Sequence, residues 1–565
     1  MRDSATEHGR SICALDAATL CEAFQRTAAE RPGQLAHRTF GGGLEFTFGQ
    51  YARRVRDLAE GMHSLDVRRG DRVALMTVNR PEFNLVDTAA MHLGAVPFSV
   101  YNTSSPEQIA YQFGNAGNRV VVTERRFLSC VRDAQSPHVE HIVLVDGEEP
   151  GTLSLVDLEQ RRAADFDFEA AWRAVETGDV VTLIYTSGTT GPPKATQLTH
   201  ASVMFESRAF TQVLPVRPGG RVISYLPSAH VGDRTIIYYC ASICCGSTVT
   251  SVADYRQVAA ALPEVRPTAF GGVPRVWEKL KAALEAAGIS DPATLPEPVR
   301  AAVRARIGLD AVDWCMSSAA PISTEVLQYF GALGIELNEG WGMSELSGFA
   351  TINPPGGLRT GSVGKALPGV DLRVAGDGEL LVKAPLVMSG YRGEPERTAE
   401  AVDADGWLHT GDVASIDDDG YVTIVDRKKE LIINSAGKNM SPANIEQRLR
   451  AASLLIAYAV CAGDRRPFNV ALLVPDPDTA MRWAAANGSD ARTLAELAGN
   501  DAFCAAITAA VEAANAQLSR VEQIKRFAVL GVDWQPGGDE LTPTSKLKRR
   551  AIHRKYAREI EALYA

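Results

Sequence analysis

Ten consecutive residues, Tyr185 to Lys194, read YTSGTTGPPK and carry the chain's densest set of groups suited to chemistry. Gly188 and Gly191 let the backbone fold tightly and approach a ligand, because no Cβ intervenes. Successive N–H groups in such a turn form an anion-binding nest. The hydroxyls of Thr186, Ser187, Thr189 and Thr190 add donors, and Lys194 adds a mobile positive charge. The chemistry this set fits is the holding of a polyphosphate. A Walker loop is excluded, because there Gly-Lys-Ser/Thr opens a helix directly, whereas Pro192-Pro193 separates Gly191 from Lys194. A Ser/Thr/Gly-rich surface linker would share the composition without the preceding strand.

Residues 179–184, DVVTLI, form that strand: a short apolar, β-branched run read as buried. Upstream, residues 20–31, 47–65 and 84–93 read as helices, and 72–76, 96–100, 119–123 and 141–145 as strands. Alternation at this spacing predicts an α/β fold with largely parallel sheets. A length of 565 residues exceeds what one core can hold and implies at least two domains. The net charge of −10 argues against nucleic acid as a partner. Nine cysteines without a CxxC pair suggest reduced thiols and a cytoplasmic protein. No signal-peptide core and no uncharged run of about 20 apolar residues is found, so any membrane association would be peripheral.

The decapeptide resembles the phosphate-binding loop of the AMP-forming adenylating enzymes, which include acyl-CoA synthetases, insect luciferases and peptide-synthetase adenylation domains. Further runs follow in that superfamily's order, from about Leu20 to Ile552. LPSAHVGDR at 226–234 and FGGVPRVWEKL at 270–280 resemble segments of the long-chain fatty acyl-CoA synthetases. The resemblance implies an acyl site that includes His230, Gly271, Val273 and Trp341. It implies ATP/AMP contacts from Thr186 to Gly191, from Lys194, and from the small residues Ser318, Ala319, Ala320 and Pro321. In the run Asn338 to Glu345, Trp341, Gly342, Met343 and Ser344 would meet the nucleotide and Glu345 would bind Mg²⁺. Trp341 and Ser344 replace the family's usual Tyr and Thr. Asp412 and Arg427 match its ribose-binding pair.

The resemblance places a hinge at 427–430, with Lys429 as its pivot, between residues 1–426 and 431–565. It implies a large N-terminal domain of stacked α/β sheets with a small β-barrel-like subdomain, followed by a small mobile α+β domain. The Asp417 to Gly420 run reads as a hairpin turn, not a calcium loop, and residues 285–310 as a surface excursion. Gly437 would border a CoA channel. Near the end, LTPTSKLKRR at 541–550 resembles the motif of the adenylation lysine, and its Arg549-Arg550 pair selects Lys546. Ser545 stands where the family often has Gly, and the basic residues through Arg558 read as a solvated terminal helix.

The implied catalytic set is Lys194, Glu345 and Lys546. The implied activity is that of a long-chain fatty acid–CoA ligase, with ATP, CoA and Mg²⁺ taking part. A fatty acyl-AMP ligase that loads a carrier protein, an amino-acid-activating domain and a non-catalytic acyl or nucleotide sensor are the alternatives. Acyl chain length and oligomeric state stay open.

Overall fold

The computed structural model describes residues 13–186, 192–434, 439–542 and 545–565. The chain divides into two compact units. One comprises residues up to Ala319, Val326–Leu372 and Val382–His409; the other comprises Ala320–Glu325, Arg373–Leu381 and Thr410–Ala565. The hinge expected at 427–430 falls inside the second unit.

The first unit is built on three sheets. The largest has eight strands in the order Gly390–Tyr391, Lys194–Thr199, Val180–Thr186, Val96–Ser99, Arg72–Met76, Val120–Thr123, His141–Leu144 and Leu153–Ser154. Its strands from Val180–Thr186 onward run parallel. Helices connect most of them, and the one after Arg72–Met76, Pro81–His92, is buried on nearly all sides. Residues 187–191 lie outside the described residues. They join Val180–Thr186 to Lys194–Thr199, which turns back antiparallel with Thr186 opposite Lys194.

A second sheet runs Ala269–Gly272, Trp314–Ser317, Leu337–Met343, Gly348–Ile352 and Lys365–Ala366, with its first three strands parallel. The glycine-rich run that begins at Asn338 lies within the strand Leu337–Met343. Its pairing with Gly348–Ile352 explains this. A Cβ at Gly342 would lie 1.8 Å from the Gly348 carbonyl oxygen, so only glycine lets the two strands meet. Residues 285–310 contain the helix Glu297–Arg306, in which only Val303 is buried. Its acidic first turn and basic last turn suit the helix dipole.

After the strand Arg221–Ser224, the chain forms a π-helix over Gly232–Cys244, and the Cys245 N–H bonds the Cys240 carbonyl. This is far longer than the usual one-turn π-bulge. Arg234 in its first turn is fully buried and ion-paired to buried Asp87. Ser99 Oγ at 2.8 Å, the Pro97 carbonyl at 3.2 Å and the Tyr239 hydroxyl at 3.0 Å take three more of its five N–H donors. A buried guanidinium is tolerated when its donors are taken up in this way.

The second unit holds most of a four-stranded sheet of Asp371–Val374, Glu379–Lys383, Leu408–Ile416 and Val422–Arg427. It also holds a three-stranded sheet, Ile456–Ala462, Asn469–Pro475 and Ile524–Val529, with helices Pro442–Ala452 and Asp501–Asn515 among its helices. The Asp417 to Gly420 turn is the expected hairpin, with Asp417 Oδ1 accepting the Asp419 and Tyr421 N–H groups. Arg549 departs from the expected solvated helix. It is largely buried and pairs with Glu446 and Glu430. No helix among the described residues is long and apolar enough to cross a membrane.

Candidate active site

In the first unit, Lys194 opens the strand that leaves the 187–191 segment. Its Nζ donates to the Tyr391 hydroxyl at 2.8 Å and sits 4.0 Å from that ring's centroid. The Tyr391 hydroxyl donates onward to Glu345 Oε1 at 2.7 Å. Glu345 lies in the short 3₁₀ turn Ser344–Leu346 that ends the glycine-rich strand, and its carbonyl accepts the Met388 N–H at 2.8 Å. Among the described residues, Oε2 of this buried carboxylate receives no hydrogen bond. An unpaired oxygen on a buried carboxylate suits a hard cation, and no cluster of three or more His, Cys, Asp or Glu that could hold one is found among the described residues. One carboxylate with the remaining ligands from phosphate and water fits Mg²⁺ here.

The structure thus brings Lys194 and Glu345 together through a residue that the sequence reading missed. The strand Gly390–Tyr391 pairs with Lys194–Thr199, placing Tyr391 opposite Thr196. The two partners are nearly two hundred residues apart, and no local pattern announces the pairing. Thr186 ends the other strand bordering the loop. Ser187, Gly188, Thr189, Thr190 and Gly191 lie outside the described residues.

Trp341, Gly342 and Met343 belong to the strand Leu337–Met343, with Trp341 half-buried against the core and opposite Thr351. Ser344 follows it. Ser318 follows the parallel neighbour Trp314–Ser317, its N–H reaching the Gly272 carbonyl at 3.3 Å, and Ala319 takes a left-handed φ of 72°. Ala320 and Pro321 fall in the second unit. On the next strand of the sheet, Ala269–Gly272, the Gly271 carbonyl accepts from the Tyr225 hydroxyl at 3.1 Å. A Cβ built on Gly271 would meet nothing within 4 Å. Val273 immediately precedes the helix Pro274–Ala286, with Pro274 in its first turn. His230 Nδ1 accepts the Gly232 N–H at 3.2 Å, just ahead of the π-helix.

Two buried acids and one half-buried acid in this unit were also not singled out by the sequence reading. Glu206, on the helix His200–Val213, accepts the Phe349 N–H on Oε1 while its Oε2 is unpartnered, and burial pushes its carboxyl well above the usual range. Burial pushes Asp233 and Glu339 up to about 7 each. Only the apolar setting that the fold creates distinguishes these residues from surface acids.

In the second unit, Asp412 and Arg427 face each other across the strands Leu408–Ile416 and Val422–Arg427, with Oδ1 to Nε at 2.7 Å. Lys429 lies two residues on. Gly437 is outside the described residues. Lys546 is exposed, in a loop closed by its N–H to Thr542 Oγ1 at 2.9 Å and by the Thr542 N–H to its carbonyl at 2.8 Å. Ser545 adopts a φ of 60°, the left-handed conformation that glycine would take freely. Lys548 is engaged otherwise, its Nζ donating to the Gly538 carbonyl at 2.7 Å.

A fatty-acid–CoA ligase of Mycobacterium tuberculosis, fadD11, is 50% identical over 491 residues, covering 80% of this chain and 85% of its own. The long-chain-fatty-acid–CoA ligase FadD15 of the same species is 33% identical over 562 residues, covering 92% of each. Among solved structures, the anthranilate CoA ligase AuaEII with anthranoyl-AMP superposes with a TM-score of 0.77 at 20% identity, covering 96% of this chain and 98% of that one. The adenylation domain of a Mycobacterium chelonae carboxylate reductase superposes with a TM-score of 0.79 at 20% identity, covering 98% and 92%. These structures show the expected mixed α/β fold, with a large N-terminal and a small C-terminal domain. Residues 24–392 match the family described as AMP-binding enzyme, and residues 429–565 match the AMP-binding enzyme C-terminal domain. This chain belongs to the AMP-binding enzyme family.

Proposed function

We propose that this protein is a long-chain fatty acid–CoA ligase that works in two half-reactions. The observation that carries the reading is the convergence of Lys194 and Glu345 through Tyr391. Relatives named fatty-acid–CoA ligases, matched over most of their length, support the acyl class.

In the first half-reaction a fatty carboxylate oxygen attacks the α-phosphorus of ATP, forming acyl-AMP and releasing pyrophosphate. The protein's work is positioning and charge neutralisation, with no covalent intermediate on a side chain. The 186–194 segment holds the β- and γ-phosphates, with Lys194 as its cation. Asp412 accepts from the ribose hydroxyls, held in place by Arg427. Trp341 and Ser318 to Pro321 flank the base and the acyl entrance, and His230, Gly271 and Val273 line the acyl path. Mg²⁺, held by Glu345, would neutralise charge between phosphate oxygens. Lys546 supplies positive charge near the α-phosphate.

In the second half-reaction the CoA thiolate attacks the adenylate carbonyl and AMP departs. The small domain, turning at Lys429, withdraws Lys546 and opens a thiol path beside Gly437. A cytoplasmic enzyme with at most peripheral membrane contact fits this substrate set.

The test is product identity. Purified protein with ATP, Mg²⁺ and palmitate should accumulate palmitoyl-AMP, and added CoA should convert it to palmitoyl-CoA with stoichiometric AMP. Thioester formed only on a carrier protein's phosphopantetheine would make it an acyl-AMP ligase. Nucleotide binding without turnover would make it a sensor.

A further inference from the structure

Tyr391 lies outside every motif by which the sequence suggests a nucleotide site, yet its hydroxyl stands between two of that site's charged side chains. It accepts from Lys194 Nζ at 2.8 Å and donates to Glu345 Oε1 at 2.7 Å. The residue is firmly held. It is 5% exposed, pairs with Thr196 across the sheet, and donates its N–H to Thr398 Oγ1 at 2.9 Å. Glu345 is tied to the same segment a second time, through the Met388 N–H on its carbonyl.

We propose that Tyr391 is a positioning residue for the ATP-dependent half-reaction, its hydroxyl keeping Lys194 and Glu345 linked but apart. The inference rests on the reading of this site as an ATP site. An ammonium and a carboxylate this close in a partly buried setting attract strongly. Without a spacer they would close into a direct ion pair, drawing the lysine away from phosphate and occupying the carboxylate. A neutral phenol prevents this by giving each charge a hydrogen bond without cancelling either. It also fixes which carboxylate oxygen is engaged: Oε1 is taken and Oε2 is left for the cation.

Tyr391→Phe tests this, because it keeps the ring and the ring's contact with the ammonium while removing only the hydroxyl. In the full-length protein, calorimetric Kd for MgATP should rise at least tenfold, Kd for Mn²⁺ in the presence of ATP should rise in parallel, and KM for palmitate should stay within twofold. On MgATP affinity, Tyr391→Phe combined with Glu345→Gln should cost clearly less than the two single losses together, since the hydroxyl acts through the carboxylate. If Tyr391→Phe does not fold, Tyr391→His, which keeps a ring with a hydrogen-bonding group, should retain more MgATP affinity than Tyr391→Leu. Unchanged MgATP affinity in Tyr391→Phe, an equal loss for palmitate, additive double-mutant losses, or equal affinity of the His and Leu variants would each overturn the inference and leave the ATP-site reading standing. A wild-type protein that does not bind MgATP would overturn the reading, and the inference with it.

Discussion

Asp412 and Arg427 are direct cross-strand partners, joined Oδ1 to Nε at 2.7 Å, with the carboxylate side chain 5% exposed and the guanidinium 48% exposed. The arginine therefore holds this buried carboxylate in one orientation, and in the proposed site the carboxylate accepts from two vicinal hydroxyls. A hydrogen bond to a charged group contributes about 1.5–3 kcal/mol. Asp412→Ala should thus raise KM for ATP by about 10- to 100-fold, since each 1.4 kcal/mol is a factor of ten. KM for the fatty acid should be unchanged in the same steady-state assay. Equal loss for both substrates would mean that the pair only supports the sheet.

Gly271 offers open space where a side chain would stand. In the proposed site that space belongs to the acyl path, so Gly271→Leu should shorten the preferred chain. Each CH₂ denied burial costs about 0.8 kcal/mol, so kcat/KM should fall severalfold per carbon beyond the new limit. Competition assays between C10 and C18 acids would read the shift. A uniform loss at every chain length would put Gly271 away from the acyl chain.

Glu206 gives the fold a pH dependence of definite sign. Burial raises its folded-state pKa well above that of the unfolded chain. Between those two values the folded state keeps a proton that the unfolded state releases, so this group's contribution to stability falls as pH rises through the window. Glu206→Gln, which cannot ionise, should be close to wild type at pH 4.5 and relatively more stable at pH 8. Within that window the gap grows by about 1.4 kcal/mol for each unit of pH. Melting temperatures of both proteins across that range check it. A gap that widens toward acid would refute the assignment.

Much of this was legible because it is local. The strand before the loop and Pro274 in a helix's first turn each follow from neighbouring residues, whereas Asp412 and Arg427 came only from the family resemblance. Tyr391 was not legible, because it reaches Lys194 only through a strand pair separated by nearly two hundred residues. The π-helix was hidden because its apolar run, 235–245, reads equally as strand or helix, and what supports its first turn is the pairing of Arg234 with distant Asp87. Arg549 looked solvated because its charge says surface, and only Glu446 and Glu430 together make its burial tolerable.

Ser545 and Lys546 carry a sharper test. Serine tolerates the left-handed backbone at modest cost, whereas a β-branched residue does not. Ser545→Gly should keep adenylation and Ser545→Val should impair it. Lys546→Ala should lower adenylation by about 10²–10³-fold, the scale of one preorganised electrostatic contact, yet keep thioester formation from supplied acyl-AMP and CoA. Lys548→Ala should leave adenylation largely intact, because that ammonium is spent on the Gly538 carbonyl. The reverse pattern would move the catalytic lysine to 548.

Acid-dependent exchange of labelled pyrophosphate into ATP, measured without CoA over acids from C2 to C24, is the most direct measurement of the central claim. The expected result is exchange that rises severalfold per methylene into the long-chain range, is abolished in Lys194→Ala with Lys546→Ala, and gives acyl-CoA once CoA is added. Exchange that is fastest with acetate, an aromatic acid or an amino acid, or no exchange with any acid, would contradict it.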